Sequence, residues 1–284
     1  MEKLKNKGKR GSGSVIYQPS SRAAEYAPYA ANFYVGCSND CEYCYCKRGV
    51  LGHAMGGTTP TLKKCFKDDE DALRRFKANV QKYLPELRKH GIFFTFTSDP
   101  MLKQTRNLHW AAALYAVEQG INVKFLTKRA DFITALHVDE CSEEQKRRIA
   151  WGFTLTGCDD KEPNASTNRQ RINAMRRLHK MGFKTFASIE PIISIARSHC
   201  MISEALPFCN LFKIGLLSGK REYTPEQVKA FVCQKMADLA MYKYTAKVYW
   251  KDSVFEYIGM SREELQAQYP ELAVGADYDL FAGK

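Results

Sequence analysis

From residue 32 onward, short apolar runs alternate with longer amphipathic stretches, and few folds accommodate that pattern. Runs at 32–37, 92–98, 123–127, 150–156, 184–190 and 211–217 read as strands, with a seventh at 246–250. Between them, 69–89, 108–119, 143–148, 168–181 and 224–241 read as helices, and an acidic helix follows near 261–268. Strands that alternate with helices specify a parallel sheet covered by helices, because parallel neighbours need a long crossover. Gly91, Gly120 and Gly182 each follow a helical pattern, where a left-handed cap needs no side chain. Ile172, Met175, Leu178 and Met181 recur every three residues, a single buried stripe, and Ser166, Thr167 or Asn168 offers the N-cap oxygen.

No repeat or low-complexity linker divides the chain, so one barrel-like unit over 26–220 is expected. A basic flexible tail is expected over 1–25, and a helix–strand–helix extension packed on the barrel over 221–284. The first ten residues hold five basic residues and one acid. The whole chain carries 43 Lys plus Arg against 31 Asp plus Glu, a net charge of +12 that favours anionic partners. No window is long and apolar enough for a membrane helix, and the start lacks the apolar core of a secretory signal. Ten cysteines in so long a chain, several crowded into one short stretch, point to a reducing cytoplasm and to metal binding rather than disulfides.

That stretch is Asn32 to Arg48, NFYVGCSNDCEYCYCKR, with Cys37, Cys41 and Cys44 spaced C-x3-C-x2-C directly after a strand. Thiolates suit zinc or iron–sulfur clusters. Three cysteines on a four-iron cube leave one iron open for a ligand. With Cys46 as a fourth ligand, the loop would instead be a closed zinc site of a non-catalytic binding module. The other six cysteines are isolated and read as small buried apolar residues.

The C-x3-C-x-aromatic-C loop, with Tyr43 as the aromatic, resembles that of the radical S-adenosylmethionine (radical SAM) enzymes. The wider string of Asn32, Gly36-Cys37 and Tyr43-Cys44-Tyr45 is similar to the spore photoproduct lyase-like branch. The resemblance covers about 32–217 and implies a partial (β/α)6 TIM-like barrel of parallel strands, an α/β fold with outer helices. It implies a [4Fe–4S] cluster on Cys37, Cys41 and Cys44, with S-adenosylmethionine chelated at the open iron. One electron then cleaves that cofactor to a 5′-deoxyadenosyl radical, which abstracts a hydrogen atom from a substrate. It further implies cofactor contacts from Tyr43, from Ser98 and Asp99 in the T-S-D stretch, from Lys128 in L-T-K, from Thr154 or Thr156, and from Arg171.

Functional groups of parallel barrels gather at the C-terminal ends of the strands. This adds Ser188 and Glu190, which share one face of their strand, and Lys251 after the 246–250 strand as a substrate contact. Alternation in the fourth strand turns Trp151, Phe153 and Leu155 toward the helices and Thr154 and Thr156 inward, whereas for 92–98 it leaves the inner face open. Two plainer alternatives stand beside these: Arg171 as a solvated helix residue, and Lys251 as a surface lysine paired with Asp252. The lyase branch places a hydrogen-donating cysteine two positions before the serine of T-S-D. Here that position is Phe96, so the lyase's own repair reaction is not expected to carry over. The charge balance suits nucleic acid as substrate and an acidic flavodoxin- or ferredoxin-type electron donor, with a peptide or small metabolite as the other substrate class.

Overall fold

The computed structural model describes residues 14–282, so the basic run at 1–10 lies outside the described residues. Along the chain the strands are β1 (Ile16–Tyr17), β2 (Ala30–Ala31), β3 (Tyr34–Val35), β4 (Thr61–Leu62), β5 (Ile92–Phe94), β6 (Val123–Thr127), β7 (Ile149–Thr154), β8 (Lys184–Ile192), β9 (Leu211–Leu216) and β10 (Lys247–Trp250). The helices are α1 (Gly49–Met55), α2 (Asp69–Lys82), α3 (Leu84–His90), α4 (Arg106–Glu118), α5 (Phe132–Ala135), α6 (Glu143–Arg148), α7 (Asn168–Lys180), α8 (Ile195–Ala205), α9 (Pro225–Met241), α10 (Asp252–Ile258) and α11 (Arg262–Gln268). One sheet runs β1-β2-β5-β6-β7-β8-β9-β10, parallel throughout except that β1 pairs antiparallel with β2. This is the parallel sheet with outer helices that the alternation predicts and the partial barrel that the resemblance implies. No helix among the described residues is long and apolar enough to cross a membrane.

Several details differ from expectation, among them Cys65, Cys200 and Cys233, which are exposed rather than buried, and α8, which has no counterpart among the expected helices. The strand expected at 32–37 enters the sheet earlier, at Ala30–Ala31, and its remainder, Tyr34–Val35, pairs instead with Thr61–Leu62. The strand expected at 92–98 stops at Phe94, because the Asn32 side-chain oxygen accepts from Thr95 Oγ1 (2.6 Å) and Phe96 N (2.9 Å) and pulls the chain out of the ladder. The helix expected at 69–89 breaks at Tyr83, where Pro85 starts a new helix: a proline has no N–H to give and fits only a first turn. Residues 14–25, assigned to the tail, are built into the barrel through β1 and the buried Glu25. The helix ends follow the sequence signals. Thr167 caps α7 in a capping box with Gln170, and Gly91, Gly120 and Gly182 all take positive φ.

Two apolar layers result. Between sheet and helices, Phe94, Phe125 and Trp151 stack with ring centroids 5.3 and 4.8 Å apart. Inside the barrel, Tyr26, Phe93, Phe186, Leu211 and Tyr249 pack with Leu280 from the C-terminal segment, which settles the inner face of β5 as that of Phe93.

His109 is fully buried in the outer layer against Phe33 and Phe94; its Nδ1 lies 2.9 Å from the Thr105 carbonyl oxygen, and its Nε2 has no hydrogen-bond partner among the described residues. Burial lowers its pKa from 6.5 to about 4. Between these values the unfolded chain binds more protons than the folded one. This ring therefore costs nothing above pH 6.5, and its penalty grows as pH falls toward 4, at about 1.4 kcal/mol per pH unit and about 3 kcal/mol in total. His109→Leu is expected to remove that part of the acid slope. Melting curves of both proteins from pH 7 to pH 4 check it, and parallel slopes would exclude the assignment.

Candidate active site

The cysteine loop starts at Gly36, whose φ is 80° and where an added Cβ would lie 2.5 Å from the Thr59 carbonyl oxygen. Only glycine turns the chain here, and Cys37 N then donates to the Gly57 carbonyl (2.9 Å). Cys44 N donates to Cys41 O (3.3 Å) and Lys47 N to Cys44 O (3.1 Å), folding the loop back on itself. Cys41 is buried, whereas Cys37 and Cys44 are partly exposed. Cys46 is buried with its sulfur 3.6 Å from the Phe96 carbonyl oxygen, which also accepts from Tyr45 Oη. Among the described residues no three His, Cys, Asp or Glu side chains converge on a single ion.

Burial pushes the Cys37 thiol up to about 12, with the Asp99 carboxylate adding to it, and also raises Cys41. Hydrogen bonding with Cys46, opposed by burial, lowers Cys44 to about 6, and Lys128 and Lys47 reinforce it. Burial alone would lower the Lys128 ammonium, but Cys41 and Glu162 outweigh it and raise its pKa. The Lys128 Nζ lies 5.5 Å from the centroid of the Tyr43 ring.

Asp99 joins this loop to the strand ends. Its Oδ1 accepts from Met101 N (2.9 Å) and Thr127 Oγ1 (2.6 Å), and its Oδ2 from Asn39 Nδ2 (2.8 Å) and Lys128 N (2.7 Å). Four donors occupy the carboxylate and the residue is buried, so Asp99 ties the loop to the strand ends. Beside it, Ser98 Oγ donates to Gly36 O (2.7 Å) and Thr97 Oγ1 to Tyr34 O (2.5 Å).

The segment after β7 clamps the loop from the other side. Tyr43 Oη donates to the buried Glu162, whose other oxygen pairs with Arg171 Nη2. Arg171 is 0% exposed, with Nε donating to Ser166 O (2.7 Å) and Nη1 to Thr154 O (2.6 Å). It is therefore not a solvated helix residue. Thr156 is also fully buried, with its Oγ1 accepting from Cys158 N (3.2 Å), and Thr154 is 3% exposed.

On the far wall, Tyr26 Oη donates to Glu190 Oε2 (2.6 Å) and lies 2.7 Å from Ser188 Oγ. Lys251 is buried, with Nζ 2.9 Å from Glu190 Oε1 and 2.8 Å from Glu25 Oε2; Asp252 pairs with Arg262 instead, which overturns the surface-lysine alternative. Gly215 makes room for this pair, since a Cβ there would lie 2.8 Å from Lys251 Cδ. Lys213 donates to Glu25 O (2.5 Å); burial, with Lys124 and Lys251 adding, lowers its pKa to about 7. Glu25, Tyr26, Asn39, Glu162 and Lys213 escaped the sequence reading. A lone lysine in the apolar run Leu211–Leu216 was a usable signal for Lys213, whereas nothing local marks Glu25 or Glu162.

No protein-family model matches the chain. It is 26% identical over 211 residues to the uncharacterised protein MJ0683 of Methanocaldococcus jannaschii, covering 68% of this chain and 72% of that protein. Among solved structures it is similar to spore photoproduct lyase with bound AdoMet and dinucleoside spore photoproduct, at a TM-score of 0.54 and 16% identity over 77% of this chain and 63% of that chain. It is also similar to Streptococcus suis SuiB bound to S-adenosylmethionine, at 0.54 and 12% identity over 87% of this chain and 52% of that one. The match thus spans less than two thirds of either solved chain. Together with the sheet order, these likenesses establish the fold as a partial parallel barrel shared with spore photoproduct lyase and SuiB.

Proposed function

We propose that this chain is a radical SAM enzyme in which Cys37, Cys41 and Cys44 hold a [4Fe–4S] cluster with S-adenosylmethionine at its open iron. The observation that carries this reading is the convergence of the three-thiol loop, Lys128 and the strand ends at the C-terminal mouth of a parallel barrel. The donor set fits: three soft ligands lie on one short loop in the C-x3-C-x2-C spacing. When bound, the cluster supplies the electron that splits the cofactor into methionine and a 5′-deoxyadenosyl radical. The chain's own residues bind and orient. Tyr43, Ser98, Lys128 and Glu190 keep part of their surface free and are the proposed direct contacts, with Lys128 meeting the cofactor carboxylate. Asp99, Thr154, Thr156, Arg171 and Ser188 are buried and act through them. Lys251, buried between Glu25 and Glu190, closes the cavity wall behind Glu190.

For substrate, nucleic acid is the first reading. Arg48 Nη1 donates to Ser218 O (2.6 Å) and Arg22 Nη1 to Ser218 Oγ (3.2 Å), and among the described residues neither guanidinium has a carboxylate partner. The lyase sharing the fold carries a dinucleoside spore photoproduct in its solved structure. An acidic flavodoxin or ferredoxin in a reducing cytoplasm is the matching electron source.

The test is anaerobic reconstitution with iron and sulfide, then incubation with S-adenosylmethionine and dithionite and assay of 5′-deoxyadenosine. Formation is expected in the parent and in Cys46→Ala, and is expected to be lost in each of Cys37→Ala, Cys41→Ala and Cys44→Ala. Zinc in place of iron, with no deoxyadenosine, would establish the binding-module alternative. Oligonucleotide anisotropy across a salt series reads the substrate class: affinity falling with salt supports nucleic acid, and no binding at low salt turns the search to peptides and metabolites.

A further inference from the structure

Glu162 lies outside the cysteine motif and outside the strand ends, yet its buried carboxylate is the junction between them. One oxygen accepts from Tyr43 Oη, inside the motif, and the other pairs with Arg171, which is itself held by Ser166 O and Thr154 O. Both side chains of the pair are 0% exposed. The surrounding segment repeats the attachment: Glu42 N donates to Lys161 O (3.1 Å), Lys161 Nζ pairs with Glu42 (2.8 Å), and Asn164 N donates to Asn39 O (3.4 Å). The middle of the cysteine loop is therefore fastened along its length to the segment between β7 and α7, with Glu162 as the buried charge at the centre. The Lys128 ammonium stands over the ring that Glu162 holds.

We propose that Glu162 is a positioning residue of the cysteine loop, with two separable effects. Its reach fixes Tyr43 and so the spacing of Cys41 and Cys44, and its negative charge sets the potential of the metal centre those cysteines bind. The inference rests on the cluster reading above. An anion in a low-dielectric site opposes the arrival of an electron nearby, and little solvent is present here to screen it. Arg171 only partly offsets it, since it lies on the far side of the carboxylate from Tyr43.

Three variants of the full-length protein separate the effects. Glu162→Gln removes the charge, and its reconstituted cluster is expected to show a more positive midpoint potential in an electron paramagnetic resonance redox titration. Glu162→Asp keeps the charge and shortens the reach, and is expected to leave the potential near that of the parent while releasing iron faster to a chelator. Tyr43→Phe leaves the buried ion pair intact. It is expected to speed amide hydrogen exchange across 37–44 in the metal-free protein and to speed iron release, so it serves where Glu162→Gln does not fold. A folded, iron-loaded Glu162→Gln with an unchanged potential overturns the charge effect. Unchanged exchange and iron release in Tyr43→Phe overturn the positioning effect. If the parent itself takes up no iron, the cluster reading fails instead, a result distinct from both.

Discussion

Asp99→Ala is expected to lower stability by about 4 kcal/mol or more, because it strands several buried donors, each costing roughly 1–3 kcal/mol when left unpaired. The donors come from three places: Asn39 in the cysteine loop, Met101 in the turn after β5, and Thr127 and Lys128 at the end of β6. Water can reach few of them, since Asp99 is 6% exposed and Thr127 2%. The loss is therefore larger than for a surface hydrogen-bonding residue, and it is local: the cysteine loop and the β6 end lose their shared anchor together. Asp99→Asn is the informative companion. The carboxamide keeps the volume and one acceptor oxygen but presents an NH2 to two of the donors, so about half the loss is expected. Urea melts of the three metal-free proteins give the order parent, Asn, Ala. Equal stability of Asp99→Ala and the parent would show that the hub does not hold the loop.

How far the sequence was readable follows from which interactions are local. The strands announced themselves because apolar runs and helix periods are local patterns, and the C-x3-C-x2-C loop because ligand spacing is written along the chain. The boundaries at Asn32 and Phe94 were not visible, since one carboxamide from residue 32 ends the strand around residue 94 by long-range hydrogen bonds. Lys251 is legible at a strand end, but its partners are not: Asp252 is merely adjacent in sequence, whereas Glu25 and Glu190 are brought in by the closing of the barrel. Glu25 sat at the end of the stretch read as tail and Tyr26 at the first residue of the barrel unit, with no periodicity there to mark either side chain as part of the barrel wall. Arg171 was located but its role was not, because burial depends on Glu162, nine residues away across a turn.

Arg171→Met is expected to cost about 3–5 kcal/mol, enough to lower the melting temperature by at least about 6 °C in a chain of this size, because it leaves Glu162 as a buried carboxylate without its cation. Methionine fills much of the same volume, so packing is not the main loss. The backbone acceptors Ser166 O and Thr154 O lose their donors as well, which adds to the cost. The pair itself need not be strongly stabilising, since both charges were taken out of water to form it. A double variant, Arg171→Met with Glu162→Gln, tests this directly. With no buried charge left, it is expected to recover a good part of the loss of Arg171→Met alone, whereas independent sites would add their costs. Thermal melts of the parent, both single variants and the double complete the cycle. A double variant less stable than Arg171→Met would mean that the stranded charge is not the source of the loss. Recovery of stability without recovery of iron binding would separate the two duties of this pair: the fold needs the charges balanced, whereas the cysteine loop needs the carboxylate itself.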